Sequence, residues 1–247
     1  MKFILIICFC VAYNLQAIGQ NYDFIIKGAY LVDAKNKIRD TMDVAIADGK
    51  IAAVSKILPE NGAKKVIQAS GMILSPGLID PHTHVFVGSK NKTFADGFYS
   101  VSPDDFTFRS GVTTVVDAGT SGWRNFETFK TNVIDASQTR VLAFLNISGT
   151  GMSGNPTQEN LSDMDPKKAY ETLKQYPDIL VGIKIGHYTG TDWLPFDNAL
   201  QASGKAGKPL LVECHLPEYS LADQLNKMRP GDIITHSFEE IDERLPI

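Results

Sequence analysis

The feature that most constrains the fold is a series of six apolar, β-branched runs, each followed by a segment of helix length. The runs are MILSPGLID (72–80), GVTTVVDAG (111–119), RVLAFLNISG (140–149), DILVGIKIG (178–186), KPLLVECH (208–215) and GDIITHS (231–237). Apolar strands that alternate with amphipathic helices form parallel sheets covered on both faces. The pattern predicts an α/β fold, either a (β/α)8 TIM-type barrel that stops after about six strands or an open doubly wound sheet. No GxGxxG motif follows the first run, so a dinucleotide-binding sheet has no support.

The segment 21–70 has a different pattern, with short strands and tight turns. YDFIIKGAYLVD (22–33) and MDVAIADGKIAAVSK (42–56) have the composition of strands, and Asp48-Gly49 marks a hairpin turn in the second. This segment is too small to form a large core alone. We therefore predict three parts, namely a leader over 1–20, a small β-sandwich segment over 21–70 and the barrel over 71–247.

The first twenty residues, MKFILIICFCVAYNLQAIGQ, have the layout of a secretory signal peptide. One lysine precedes an apolar run over 3–12, and small residues follow near 17–19. The run is shorter than the roughly 20 residues that span a membrane. Neither Cys8 nor Cys10 follows the small residue expected before a lipid-modified cysteine, so no membrane anchor is predicted. We predict export to the periplasm or secretion, which leaves Cys214 alone in the mature chain and excludes an intramolecular disulfide framework.

The charge of the chain narrows the classes of partner. The formal net charge is −4, and no run is rich in lysine and arginine. Nucleic acids and anionic membranes bind basic patches, so neither is expected as a partner. We expect a small-molecule ligand. The oligomeric state stays open, with a homo-oligomer among the alternatives.

Two histidines stand one residue apart in SPGLIDPHTHVFVG, directly after the first run. Residues i and i+2 of an extended segment project to the same face, so His82 and His84 can aim at one point. Barrel enzymes gather their chemistry at the carboxyl ends of the strands, and the fifth and sixth runs end near His215 and His236. A single histidine at a strand end is more often hydrogen-bonded than a ligand. Four at one end of a barrel predict a metal site.

A lysine lies inside the fourth run. In VGIKIG, Gly182, Lys184 and Gly186 share one face and two isoleucines share the other, so we expect the isoleucines to face the helices and the lysine to face the barrel interior. A buried ammonium is costly unless it is paired or neutralised. A neutral amine can add carbon dioxide to become a carbamate that bridges two metal ions, and the flanking glycines would leave room for it. The alternative is a structural lysine paired with Glu213 or Asp117.

Several motifs together carry a resemblance to a known family. They are GLIDPHTH, GVTTVVDAGTSG, VGIKIG, LLVECH and GDIITHSF, in this order after a β-rich segment. The chain resembles the amidohydrolase superfamily of metallohydrolases, and within it the amidohydrolase/deacetylase branch related to dihydroorotases and D-aminoacylases. The resemblance runs from about residue 22 to the last residue. It implies a (β/α)8 barrel with a small β-sandwich built from both chain ends.

The resemblance also implies a binuclear metal centre. His82 and His84 would bind the more buried ion. His215 and His236 would bind the more exposed ion, and a carboxylated Lys184 would bridge the two. Zinc suits ligands rich in imidazole, while manganese, iron and cobalt stay open. The implied reaction is hydrolysis of an N-acyl amide by a bridging hydroxide, as in a deacetylase.

Two further residues near the strand ends need an interpretation. His187 lies in the loop GHYTGTDW after the fourth run and is a candidate substrate-binding residue, with an exposed loop histidine as the equal alternative. Cys214 neighbours His215, but strand alternation points it to the opposite face. We therefore interpret Cys214 as a packing residue.

Two other functions stay open at this point. A ring-opening hydrolase that resembles dihydroorotase or allantoinase would share the metal site. An arginine to hold a ring carboxylate would favour it, and no convincing one is found near the strand ends. A non-catalytic amidohydrolase-like scaffold is the third alternative, and the presence of all four histidines and Lys184 argues against it.

The chain departs from the family pattern in one respect. That pattern has an aspartate at the end of an eighth strand, which ligates the buried metal and transfers the proton. No residue up to Ile247 matches it, so no catalytic residue is assigned here and the general base is expected beyond Ile247. We accordingly expect the sequence to be the N-terminal part of a longer protein, and this part alone to be inactive.

Overall fold

The computed structural model describes residues 22–87, 100–152, 157–213 and 219–237. The chain divides into two compact units, the first ending at Pro76 and the second beginning at Gly77. Three of the sequence predictions fall outside the described residues, namely the leader over 1–20, Cys214 and His215. No described helix is long and apolar enough to cross a membrane.

The first unit is a five-stranded mixed sheet. Its strands are β1 (Tyr22–Asp33), β2 (Ile38–Ala47), β3 (Lys50–Ser55), β4 (Ala63–Gln68) and β5 (Ile73–Leu74). The order is β3-β2-β1-β4, and β5 pairs with the carboxyl-terminal part of β1. The first three strands are antiparallel, whereas β4 and β5 run parallel to β1. A small core forms from Tyr22, Ile25, Ala45 and Leu58.

The predicted hairpin turn between β2 and β3 is confirmed. Asp48 has a φ of 51° and Gly49 a φ of 70°, so both residues are left-handed. A two-residue type I′ turn needs this conformation at both central positions, and the Asp-Gly dipeptide adopts it readily. The turn therefore sets the register of the antiparallel pair locally.

The run MILSPGLID, expected to form the first barrel strand, is instead divided between the two sheets. Ile73 and Leu74 pair with β1 in the first unit, and the second sheet begins at Leu78. Pro76 lies between them. Because proline has no N–H to donate to a ladder, it ends one strand and separates it from the next. Hydrophobicity alone could not reveal this division.

The second unit confirms the predicted α/β class. Its strands are β6 (Leu78–Thr83), β7 (Val112–Gly122), β8 (Arg140–Asn146), β9 (Leu180–Ile185), β10 (Leu210–Glu213) and β11 (Ile233–Thr235). All six are parallel and follow each other in chain order across the sheet. The helices are α1 (Phe126–Phe129), continued by a π-helical turn (Lys130–Ile134), α2 (Pro166–Gln175), α3 (Leu194–Lys205) and α4 (Leu221–Lys227).

Two of the helices, α2 and α4, begin at a residue whose side chain caps them. The side chain of Asp165 accepts hydrogen bonds from the N–H groups of Lys167 and Lys168, and Pro166 occupies the first position of α2. Both features satisfy or remove N–H groups that a helix start leaves unpaired. Ser220 caps α4 in the same way. These starts place each helix after a strand, as the alternating pattern predicts.

The two faces of the parallel sheet have different cores. Ile183 and Ile185 belong to the large cluster that includes Leu173 of α2 and Phe196 of α3. The opposite face carries a separate apolar cluster of Val116, Ala118, Phe144 and Leu211. The prediction that the isoleucines of VGIKIG face the helices is confirmed, and alternation consequently directs Lys184 to the other face.

The sheet curls into a half-barrel. β6 and β11 are its two edge strands, yet the hydroxyl of Thr235 in β11 lies 2.8 Å from Nδ1 of His82 in β6. A flat six-stranded sheet would separate its edges by about five strand spacings of 4.8 Å. The contact between the edges therefore requires strong curvature, and it brings the strand ends toward one point.

Candidate metal centre

Three of the four predicted histidine ligands converge at the carboxyl edge of the half-barrel. The ring centroids of His82 and His84 are 5.6 Å apart, and those of His82 and His236 are 5.1 Å apart. Two imidazoles that bind one ion through bonds of roughly 2.1 Å have centroids about 5 Å apart. The spacing of His82 and His84 thus suits ligation of one ion, and His236 lies beside them, whereas the fourth predicted ligand, His215, lies outside the described residues.

Threonine hydroxyls engage the same nitrogen on two of these rings. Nδ1 of His84 is 2.9 Å from Oγ1 of Thr120, and Nδ1 of His82 is 2.8 Å from Oγ1 of Thr235. When Nδ1 carries the proton and donates it to the hydroxyl, the lone pair resides on Nε2. This is how outer hydrogen bonds set the tautomer of metal-binding histidines. Neither threonine was predicted, although Thr120 lies inside the motif GVTTVVDAGTSG and Thr235 inside GDIITHSF.

The environment keeps both rings of the HxH pair neutral. Burial, followed by the positive charge of Lys184, lowers the pKa of His82 to about 4 and that of His84 to about 3. Both values lie well below the ordinary pKa of a histidine. A histidine must be neutral to bind a metal ion, so the two rings are in the ligating form at neutral pH.

Lys184 is buried on the inner face and pairs with a carboxylate. Its Nζ lies 3.4 Å from Oε2 of Glu213, with only 1% of the Lys184 side chain exposed. This is one of the two ion pairs considered from the sequence. The other is not formed, because Asp117 accepts hydrogen bonds from backbone N–H groups instead. Carboxylation of Lys184 stays a prediction.

Two glycines make room for this pair. A Cβ on Gly119, which has a φ of 87°, would lie 2.5 Å from Cβ and Cγ of Lys184. A Cβ on Gly186 would lie 2.3 Å from Oε2 of Glu213 and 3.1 Å from Cε of Lys184. Contacts this short are incompatible with a side chain. Glycine at position 119 is therefore required by the lysine stem, and a side chain at position 186 would displace the carboxylate of Glu213.

His187 binds the other oxygen of the same carboxylate. Its Nε2 lies 3.1 Å from Oε1 of Glu213, and its Nδ1 lies 3.4 Å from the amide nitrogen of Gln158. Because the amide nitrogen can only donate, Nδ1 is the acceptor and Nε2–H donates to Glu213. His187 also has a left-handed φ of 57°, which is unusual for a residue other than glycine. Backbone strain of this kind is concentrated at functional sites.

Glu213 is consequently the central anion of this part of the site. Burial alone would raise its pKa, but the hydrogen bond from His187 and the charge of Lys184 outweigh it and hold the pKa well below the usual range of a glutamate. From the sequence, Glu213 was expected only as a possible partner of Lys184. Its position two residues before His215 was the available signal, because i and i+2 share a face in a strand.

An arginine also lies closer to a strand end than the sequence suggested. Arg124 follows the end of β7 at Gly122 by two residues. Its Nε donates to Oδ1 of Asp163 at 2.7 Å, and its guanidinium lies 4.0 Å from the ring centroid of Trp123. Arg124 is thus already engaged by a carboxylate and an aromatic ring.

The donors present have the chemistry of a metal site, although the described part of the chain does not contain a complete one. No group of three or more His, Cys, Asp or Glu side chains in that part lies close enough together to hold a metal ion. Three imidazoles, two of them with Nδ1 on a threonine hydroxyl, nevertheless fit the nitrogen-rich ligation of zinc and related ions.

Known proteins resemble the chain over most of its length. No family model matches it. It is 30% identical over 212 residues to a deacetylase from Agrobacterium fabrum. The matched segment covers 83% of this chain and 50% of that relative. The crystal structure of an adenine deaminase superposes with a TM-score of 0.76 at 30% identity and covers 91% of this chain and 59% of that one. A dihydroorotase superposes with a TM-score of 0.75 at 26% identity, covering 90% and 59%.

These comparisons agree with the fold. The chain spans about half the length of the curated deacetylases it matches. The solved neighbours are members of one superfamily, and the superposition extends over nine-tenths of this chain. The deacetylase and the adenine deaminase each share 30% sequence identity with this chain in addition to the fold. The chain therefore belongs to the amidohydrolase superfamily.

Proposed function

We propose that this protein is a metal-dependent hydrolase that cleaves the amide bond of a small N-acylated substrate. The observation that carries the proposal is the convergence of His82, His84 and His236 at the carboxyl edge of a parallel half-barrel. This edge is where barrel enzymes place their active sites. The 30% identity to a protein named deacetylase supports the N-acyl class.

The proposed site holds two divalent ions, with zinc as the metal that best suits its imidazoles. His82 and His84 would hold one ion and His215 and His236 the other, with a carboxylated Lys184 as their common ligand. Bound divalent metal would supply an activated water and polarise the scissile carbonyl. With Nδ1 of His82 and of His84 each donating to a threonine hydroxyl, Nε2 of each ring would carry the lone pair that binds metal.

His187 is the residue that we propose contacts the substrate. Its ring is 42% exposed, whereas the side chain of Glu213 beside it is 4% exposed. Glu213 and Gln158 hold the ring from its two nitrogens, so its orientation is set before a ligand arrives. A His187→Ala variant should therefore raise KM more than it lowers kcat, because it removes a binding contact.

The test uses protein expressed from the complete reading frame. We expect bound divalent metal by elemental analysis and hydrolysis of N-acetylated amino acids or hydroxy acids, lost on chelation and restored by zinc. His84→Asn should lower both metal content and kcat. A wild-type protein without divalent metal would contradict the proposal and favour a non-catalytic scaffold. Full activity after exhaustive chelation would contradict it as well.

A cyclic amide hydrolase is the second candidate. The superposition with a dihydroorotase supports it, since a ring-opening enzyme could use the same metal site. The engagement of Arg124 by Asp163 counts against it, because that guanidinium is already paired. The same preparation assayed with dihydroorotate, hydantoin and allantoin separates the two candidates. Ring opening faster than deacetylation would favour the second.

We also propose that residues 1–20 direct export. The support is the lysine, the short apolar run and the small residues near 17–19. Cell fractionation with sequencing of the mature amino terminus tests this. We expect a terminus near residues 19–21 in the exported fraction, and cytoplasmic protein that retains Met1 would contradict it.

A further inference from the structure

We infer that Asp117 is a positioning residue, which holds His84 in its metal-binding orientation through two hydrogen bonds at once. Asp117 lies in β7, is fully buried and pairs with Thr83 in the ladder between β6 and β7. It is therefore level with the HxH pair on the neighbouring strand. The inference rests on the proposed function, because it treats His84 as a ligand.

The first hydrogen bond fixes the backbone directly after His84. The N–H of Val85 donates to Oδ2 of Asp117 at 2.9 Å. β6 ends at Thr83, so the ladder supplies no strand partner for this buried N–H. A buried N–H without an acceptor is unfavourable, and the carboxylate satisfies it. The peptide on the carboxyl side of the histidine is thereby held against β7.

The second hydrogen bond fixes the hydroxyl that engages the ring. The N–H of Thr120 donates to Oδ1 of Asp117 at 2.7 Å, and Oγ1 of Thr120 lies 2.9 Å from Nδ1 of His84. The intervening Gly119 has a left-handed φ, and its carbonyl accepts from Nδ2 of Asn146 at 3.0 Å. One carboxylate thus sets both the backbone of the ligand and the partner of its ring.

The arrangement differs from a buried ion pair. In the described ranges Asp117 has no cationic partner within ion-pair distance, and each of its oxygens accepts from a backbone N–H that leads to the same histidine. A second buried aspartate, away from the histidines, also accepts from two backbone N–H groups but has a cationic partner as well, since Nζ of Lys27 lies 3.4 Å from Oδ2 of Asp43. Asp43 in the first unit accepts from the N–H groups of Gly28 and Leu58, both at 2.8 Å. Asp43 is therefore a control for replacing a buried carboxylate that accepts two backbone N–H groups at a position remote from the histidines.

The experiment compares Asp117→Asn with Asp43→Asn in the full-length protein. An amide has one acceptor oxygen, so each variant leaves one of two buried N–H groups without its partner. Zinc affinity is measured by chelator competition, and the absorption spectrum of the cobalt-substituted protein reports ligand geometry. We expect Asp117→Asn to lower zinc affinity by about 10- to 100-fold and to change the cobalt spectrum. Asp43→Asn should leave both at the wild-type values.

If Asp117→Asn does not fold, a second pair of variants at Thr120 tests the same inference. Thr120→Val removes the hydroxyl on the ring but keeps the N–H that donates to Asp117, whereas Thr120→Ser keeps the hydroxyl. We expect Thr120→Val to lower zinc affinity and Thr120→Ser to restore it. Wild-type affinity in folded Asp117→Asn, or in Thr120→Val, would overturn the inference. Failure of the wild type to bind zinc would instead contradict the proposed function itself, and the inference with it.

Discussion

Lys184 and Glu213 form a buried ion pair between neighbouring strands, with Nζ 3.4 Å from Oε2 and side chains that are 1% and 4% exposed. Removing one partner from such a pair leaves a buried charge without compensation, which costs far more than the pair itself contributes. Glu213 is thus what allows a charged lysine to lie inside the half-barrel of the metal-free protein.

A double-mutant cycle on this pair gives the first prediction. In metal-free protein, Glu213→Gln should lower the free energy of unfolding by about 3–5 kcal/mol, because the Lys184 ammonium loses its counter-charge. Once Lys184→Met is present, the same change should cost much less, because no ammonium remains. Urea denaturation of the four proteins measures the coupling, and the cycle cancels the separate contact between Glu213 and His187. Additive losses would contradict the coupling.

The second prediction concerns the stability of the metal-free protein against pH. The pKa values of His82 and His84 are about 4 and 3, against an ordinary value of 6.5. Between pH 6.5 and these values the unfolded state binds protons that the folded state excludes, so stability falls as the pH is lowered. Each histidine contributes a slope of at most about 1.4 kcal/mol per pH unit.

The double variant His82→Asn/His84→Asn is the comparison for this prediction. Asp117 acts in the opposite direction, since burial raises its pKa to about 6 and its stabilising protonation is lost as the pH rises toward that value. That contribution is present in both proteins and cancels. Between about pH 7 and about pH 5, a range that brackets the ordinary pKa of histidine, we expect the denaturation midpoint to fall as the pH is lowered. The fall should be steeper for the wild type than for the double variant. Equal slopes would show that the two histidines are not shielded from protonation.

The third prediction tests the hydroxyl on His82. Thr235→Val removes the group that lies 2.8 Å from Nδ1 of His82 while keeping the shape of the side chain. We expect zinc affinity to fall by about 10- to 100-fold, because an outer hydrogen bond that sets the tautomer is lost. Thr235→Ser retains a hydroxyl and should bind zinc nearly as the wild type does. Equal zinc affinity of the two variants would show that the Thr235 hydroxyl does not contribute to metal binding.

The fourth prediction uses two glycines with similar backbone conformations. Gly119 has a φ of 87° and Gly111 a φ of 72°, but only a Cβ on Gly119 would meet another side chain, that of Lys184 at 2.5 Å. Gly111→Ala should cost roughly 1–2 kcal/mol of stability from the left-handed backbone alone. Gly119→Ala should cost about 1–3 kcal/mol more, because the lysine stem must move. Similar midpoints in urea would contradict the crowding at Gly119.

The positions of the strands and of the candidate ligands were largely predictable from the sequence. Alternation in VGIKIG assigned Lys184 and the isoleucines to opposite faces, and the structure confirms this. The HxH spacing and the strand-end position of His236 predicted a convergence that the ring distances now show. The division of MILSPGLID was not predicted, since a proline inside an apolar run shows that pairing stops without showing which sheet each half joins.

By itself, the sequence determined the side-chain alternation and the edge of the sheet at which the histidines lie, because these follow from local periodicity and from the common direction of parallel strands. Only the tertiary structure decided the partners. Thr120 and Thr235 reach their histidines across 36 and 153 residues of chain, and Glu213 lies between Lys184 and His187. Such contacts depend on the curvature of the sheet and on the backbone turn at Gly119, which no local pattern encodes.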